Sequence, residues 1–172
     1  MTDESGHKFR SKYESTYADF LKDIYSSRVA LIREFENQIG KKKAHNILKS
    51  FYEREAVENI RGLMKGVNKP LESIEDLGRL MKKLATNEFS SNTQTHEYPE
   101  SDPGTFSMCT RECLWAEVFK ELEATDLGYL MFCQTDFAVA PVFHPNIHLE
   151  RSKTLMQGDD VCDFVYHWKK QM

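Results

Sequence analysis

Apolar residues recur at helical spacing through the first half of the chain. Tyr13, Tyr17, Phe20, Ile24, Leu31 and Phe35 are separated by Lys, Asp, Arg and Glu, which predicts a first helix that Gly40 stops. Ala44, Ile47, Leu48, Phe51, Ile60, Leu63 and Met64 form the row of a second helix, broken at Gly66 and Pro70. Ser73 then reads as the N-cap of a third helix. Glu75 and Asp76 lie in its first turn, where the helix dipole favours acids, and Ile74, Leu77, Met81 and Leu84 form its stripe. All three rows read as core or helix-partner surface.

The pattern changes after Asn87. The polar, Thr-rich stretch from Asn92 to Tyr98 reads as an edge strand, and Pro99 to Gly104 as a turn. Thr105 to Cys109 alternates, with Phe106 and Met108 on one face. Helical spacing returns with Leu114, Val118, Phe119 and Leu122, then with Leu127, Leu130, Met131 and Phe137. Pro141 and Pro145 bracket an expected loop. Ile147 to Met156 and Val161 to Trp168 read as two strands joined by a turn at Gln157-Gly158-Asp159-Asp160. The expectation is an α+β fold in one domain over residues 1–172. Its N-terminal helices (about 9–86) pack with a small antiparallel β-sheet carrying a helical excursion (about 92–170).

A length of 172 residues suffices for a real core, and 40% hydrophobic with 29% charged residues is ordinary globular composition. The net charge of -4 argues against a nucleic-acid partner. The Lys41-Lys42-Lys43 triplet reads as a solvated helix start. No apolar run approaches the ~20 residues of a membrane span, and the first residues lack a secretory pattern. The expectation is therefore a cytoplasmic protein with no membrane partner. Its cysteines, Cys109, Cys113, Cys133 and Cys162, are then thiols, all in the second half.

Candidate chemistry follows from position. Cys113 opens the helix starting near Leu114, where backbone N–H groups and the dipole favour a thiolate; a buried small residue at a helix start is the plainer alternative. Asp136 lies in an apolar window, so burial should raise its pKa, and Cys133 shares its helix face. Alternation puts Cys162 with Phe164, Tyr166 and Trp168, opposite Asp163, Val165 and His167. Arg151, among aliphatic residues, needs an anionic partner, either Asp163 or a substrate carboxylate. His144 reads either as an exposed loop histidine, the commoner case, or as an acid or base at the mouth of a site. No standard zinc spacing occurs and no cofactor is required, though Cys113, Asp136 and Cys162 could assemble a mixed zinc site.

The run from Cys113 to Leu122, then Leu127-Gly128, Asp136 and Pro145, then Arg151-x-x-Thr154 and Gly158-Asp159-x-x-Cys162-x-Phe164, resembles the L-2-amino-thiazoline-4-carboxylic acid hydrolase family. The resemblance is carried mainly by Phe106 to Lys169. It implies a hydrolase opening a thiazoline ring to an N-carbamoyl-L-cysteine type of product. It also implies a site at Cys113, Asp136, Arg151, Thr154, Gly158 and Cys162. In that reading Cys113 or Cys162 is the nucleophile or a metal ligand, and Asp136 is the acid or base. Arg151 anchors the carboxylate of a small-molecule substrate, with Thr154 and His144 beside it. Homo-oligomerisation stays open. The Gly-x-x-x-Cys-x-Phe ending is also similar to small-molecule-sensing α+β domains related to vinyl reductase accessory proteins, which implies a binding module instead.

Overall fold

The computed structural model describes residues 15–67 and 69–169. Tyr13 lies outside them. Helix α1 (Tyr17–Ile39) begins at Thr16, whose hydroxyl accepts from the Asp19 N–H, and ends at Gly40. Helix α2 (Lys41–Lys65) starts at once, so the lysine triplet is its first turn, and α1 and α2 pack on each other. Helix α3 (Ile74–Ala85) starts with a full capping box between Ser73 and Asp76, as the sequence signals.

The buried row of α1 is not the one the sequence favours. Leu21, Tyr25, Val29 and Ile32 face the core, whereas Phe20, Leu31 and Phe35 are about half exposed. On α2 the expected row is divided: Ala44 and Leu48 are buried as expected, whereas Ile47 and Phe51 are exposed. Each helix carries two apolar rows, and tertiary contacts choose between them. On α1 the choice is made by Tyr25, whose ring meets Trp115, Phe119 and Phe132 at 5.4–5.6 Å.

A short helix α4 (Glu88–Thr93) leads into strand β1 (Gln94–Glu97), which pairs with β2 (Thr105–Cys113). Helix α5 (Leu114–Glu121) follows directly, then α6 (Thr125–Gly128), a π-helical turn (Tyr129–Cys133) and α7 (Thr135–Phe143). Pro141 lies inside α7, so the expected loop is confined to the residues after Phe143. Strands β3 (Ile147–Glu150) and β4 (Cys162–Trp168) complete an antiparallel sheet in the order β1-β2-β4-β3, with β1 on the edge as expected.

The strand expected over Ile147 to Met156 stops at Glu150. Beyond it, side chains take over the backbone's hydrogen bonds. Asp163 accepts from the Ser152 and Lys153 N–H groups, and Asp159 from Thr154 N–H. Thr154 then caps a 3-10 turn (Leu155–Gln157), which closes on Gly158 at φ 96°, a conformation glycine adopts without steric cost. Just past the end of the ladder, the Arg151 side chain is buried against Phe137 and Phe164.

Two apolar clusters form the core. Helices α1, α2, α5 and α6 enclose Leu21, Val118, Phe119, Leu127 and Met131. Helices α3 and α7 pack on the sheet through Ile74, Leu77, Ala140, Phe143, Ile147 and Tyr166. Among the described residues no helix is long and apolar enough to cross a membrane.

Candidate functional site

A cavity of about 370 Å³ lies between the two clusters, a volume suited to a small molecule. Met81 and Leu84 on α3, Trp115 on α5, Phe132 on the π turn, and Met156 and Phe164 supply its apolar walls. The stripe of α3 is therefore divided: Ile74 and Leu77 are core, while Met81 and Leu84 face the cavity.

The sequence-predicted Cys113, Asp136, Cys162 and Arg151 all line this one space, and Cys133 joins them. Cys113 gets there through a β-bulge. Met108 and Thr110 point inward on β2, and strict alternation would turn Glu112 inward next. The register with β1 shifts between Thr95 and His96, so that Gln94 pairs with Cys113 and His96 with Thr110. The extra residue swings Arg111 and Glu112 out to solvent and Cys113 in.

Arg151 partners neither Asp163 nor open solvent. Its Nη1 donates to Asp136 Oδ2 at 2.6 Å and its Nη2 to the Cys133 carbonyl at 2.8 Å. The guanidinium lies 5.0 Å from the Phe137 ring and 5.2 Å from that of Phe164, and only 2% of the side chain is exposed. Asp163 is unavailable because backbone N–H groups occupy it. The Cys133 carbonyl lies at the end of the π turn, whose wide winding is marked by the Gln134 N–H bond to the Tyr129 carbonyl at 2.8 Å.

Burial dominates the electrostatics. It pushes the Asp136 carboxyl up to about 6, against the pull of Arg151. It pushes the Cys162 thiol up to about 11 and that of Cys133 to about 12. Cys113 is raised as well, which corrects the expectation of a thiolate. The backbone N–H groups of Ala116 and Trp115 favour its ionised form, but removal of water outweighs them. Gln94 Nε2 lies 3.7 Å from Cys113 Sγ, and the Leu155 N–H meets Cys162 Sγ at 3.3 Å.

Two expected site residues are elsewhere. Thr154 is 2% exposed and bonds Gln157, so it holds the turn and does not line the cavity. His144 stacks on Trp168 at 4.4 Å and accepts from the Asn146 N–H, also away from the lining. In their place β1 contributes Gln94 and His96. His96 Nδ1 lies 3.0 Å from Thr110 Oγ1, and burial lowers its pKa, leaving a neutral imidazole. The signal for them was the alternation of Gln94-Thr95-His96-Glu97, whose inward positions are Gln94 and His96.

The ligand atoms of Cys113, Asp136 and Cys162 do not gather within 4.8 Å of one another, the spacing a shared metal needs. Among the described residues only Glu36, His45 and Asp126 do so. There Arg33 already donates to both carboxylates and Lys41 to Asp126, so the group reads as an ion-pair tie between α1, α2 and α6.

The fold is shared with proteins of very different sequence. A trafficking protein particle complex subunit 3 from Naegleria fowleri, covalently bound to palmitic acid, superposes with a TM-score of 0.52 at 10% identity, over 90% of this chain and 98% of that one. The phenol-responsive sensory domain of the transcription activator PoxR, with phenol, gives a TM-score of 0.50 at 11% identity, over 86% of this chain and 75% of that one. No curated protein sequence matches the chain. The family model of L-2-amino-thiazoline-4-carboxylic acid hydrolase does match it, over residues 19–166, which takes in nearly all of the helices and of the sheet and every residue of the cavity. With that coverage, the chain belongs to the L-2-amino-thiazoline-4-carboxylic acid hydrolase family.

Proposed function

We propose that the protein is a hydrolase that opens a cyclic amidine of the aminothiazoline-carboxylate kind inside this cavity. The observation that carries the reading is Asp136: a carboxyl whose pKa burial raises to about 6, on the wall of a cavity of small-molecule size, bonded to a buried arginine. Family membership supports the class of reaction.

Water is the nucleophile this site favours, because burial keeps the thiols protonated. Asp136 takes one proton from the water as its oxygen bonds to C2 of the ring, and returns it to the ring nitrogen. The second proton, from the new C2 hydroxyl, passes to the departing sulfur as the C2–S bond breaks. A ureido carbonyl and a free thiol remain, which is the N-carbamoyl-L-cysteine type of product. Arg151 acts as a positioning residue: it fixes one oxygen of Asp136 and leaves the other to the cavity. Cys113 and Cys162 contribute neutral S–H groups to the walls around the reacting ring.

The test is to incubate the purified protein with L-2-amino-thiazoline-4-carboxylate, remove the protein and titrate the released thiol. Release by the natural chain and its loss in Asp136→Asn are the expected results. No release at any pH from 5 to 9 would overturn the reading. A second reading, a binding module without catalysis, is favoured by the neutral thiols and by the likeness in fold to a phenol-responsive domain. Tight binding without thiol release would support it.

A further inference from the structure

One polar group in the cavity has no role in the chemistry above. Tyr166 is 4% exposed, and its ring is held on two sides, stacked with Phe106 at 6.2 Å across the β2–β4 ladder and with Phe164 at 6.4 Å along β4. The residue lines the cavity, its hydroxyl forms no hydrogen bond among the described residues, and that oxygen is not one of their fully enclosed unpaired atoms, which leaves it open to the cavity. Asp136 Oδ1 is likewise without a partner among them, since Arg151 is bonded to Oδ2. A phenol normally finds a hydrogen-bond partner. One that is held by two neighbouring rings on a cavity wall and is bonded to no neighbour is free to donate to a ligand.

We propose that Tyr166 is a specificity-determining hydrogen-bond donor, which selects ligands that bring an acceptor atom to its hydroxyl and an N–H to the free oxygen of Asp136. The ligand class is a small planar amidine or amide, in which donor and acceptor are adjacent. Burial and the nearby Asp136 raise the phenol's pKa, so it remains a donor across the physiological range. Arg151 is already covered by Asp136, so among the described residues the cavity presents no free cation. A ligand with a net negative charge would enter without a counter-ion, whereas a neutral or zwitterionic one would not. The proposal rests on the cavity being a ligand site, and it holds whether or not catalysis follows.

The experiment compares the natural chain with Tyr166→Phe, using L-2-amino-thiazoline-4-carboxylate and benzamide as probes and calorimetry as the readout. Removing an idle hydroxyl should leave the unliganded melting temperature unchanged or slightly higher, while affinity for both probes falls about tenfold or more. Toluene, which has neither donor nor acceptor, should bind both forms equally. Equal affinity of both forms for the amidine and amide probes would overturn the proposal. So would a lower melting temperature for Tyr166→Phe with unchanged affinity, which would mean that the hydroxyl is paired within the fold. Failure of both probes to bind the natural chain overturns it too. Binding that depends on Tyr166 without any thiol release would instead leave it standing and remove the hydrolase reading.

Discussion

Arg151 and Asp136 form an ion pair whose cation is almost wholly enclosed and whose anion is partly open: 2% of one side chain is exposed and 37% of the other. The asymmetry decides their roles. An arginine free to meet a substrate carboxylate would present its fork to the cavity. Here Nη1 and Nη2 are bonded to Asp136 and to the Cys133 carbonyl, and Phe137 and Phe164 flank the guanidinium. The group facing the ligand is the carboxylate, and the arginine sets its orientation.

Arg151→Lys is the direct test of that division. An ammonium is a point charge and lacks the planar fork that reaches both the carboxylate and the carbonyl. The Cys133 carbonyl would lose its charged donor, and the π turn its tether. The expected loss of stability is about 1–3 kcal/mol by urea unfolding. Unchanged stability would mean that the two bonds contribute nothing.

The pH dependence of Asp136 has a definite sign. Its folded pKa of about 6 lies above the ~3.9 of an unfolded chain, so between those values the folded state holds the extra proton. Stability contributed by this group is therefore greatest at low pH and falls as pH rises from about 4 to about 6. Across that window the natural chain should lose stability relative to Asp136→Asn, which does not titrate. A gain relative to Asp136→Asn would show that the Arg151 pairing outweighs burial. Turnover runs the other way, because the base is the ionised form: kcat/KM should climb through about pH 6 and then level off.

The cavity thiols should be slow to react. With Cys162 near 11 and Cys133 near 12, about one molecule in a thousand or fewer carries the thiolate at pH 8. Iodoacetamide should label Cys113, Cys133 and Cys162 far more slowly in the native protein than in urea, as mass spectrometry of the peptides would report. Labelling of any one of them faster than in the unfolded chain would reveal an activated thiolate and reinstate covalent catalysis.

Local signals carried a good part of this structure. The Ser73 capping box, the Gly40 junction, the edge character of β1 and the start of α5 at Leu114 were legible, because each depends on residues within one turn. So was the shared inward face of Cys162, Phe164 and Tyr166, since a strand alternates with a period of two. What escaped the sequence depends on the rest of the molecule. The row of α1 that is buried is chosen by Trp115, Phe119 and Phe132, which lie 90 to 107 residues beyond Tyr25. The β2 bulge is created by pairing with β1, and the early end of β3 by carboxylates from beyond the turn. The partner of Arg151 was missed for the same reason: Asp163 is nearer along the chain pattern, but its oxygens face the backbone of Ser152 and Lys153.

Gly128 tests how tightly the helical cluster is closed against the cavity. It sits at the end of α6, where a Cβ would fall 2.6 Å from Met156 Sδ and 2.7 Å from Phe119 Cγ, closer than real Cβ atoms come to either. Phe119 cannot yield easily: it is fully buried and packs on Tyr25 at 5.4 Å and Phe132 at 5.6 Å. Met156 can, since its side chain is flexible, but it also lines the cavity, so relief there comes at the ligand's expense. Gly128→Ala should therefore cost about 1–3 kcal/mol of stability and also weaken binding of aminothiazoline carboxylate. Pairing it with Met156→Ala should recover part of the stability lost to the clash, a coupling that two residues not in contact would not show. Gly128→Ala within about 0.5 kcal/mol of the natural chain, with full affinity, would mean that α6 does not approach Phe119 and Met156 this closely.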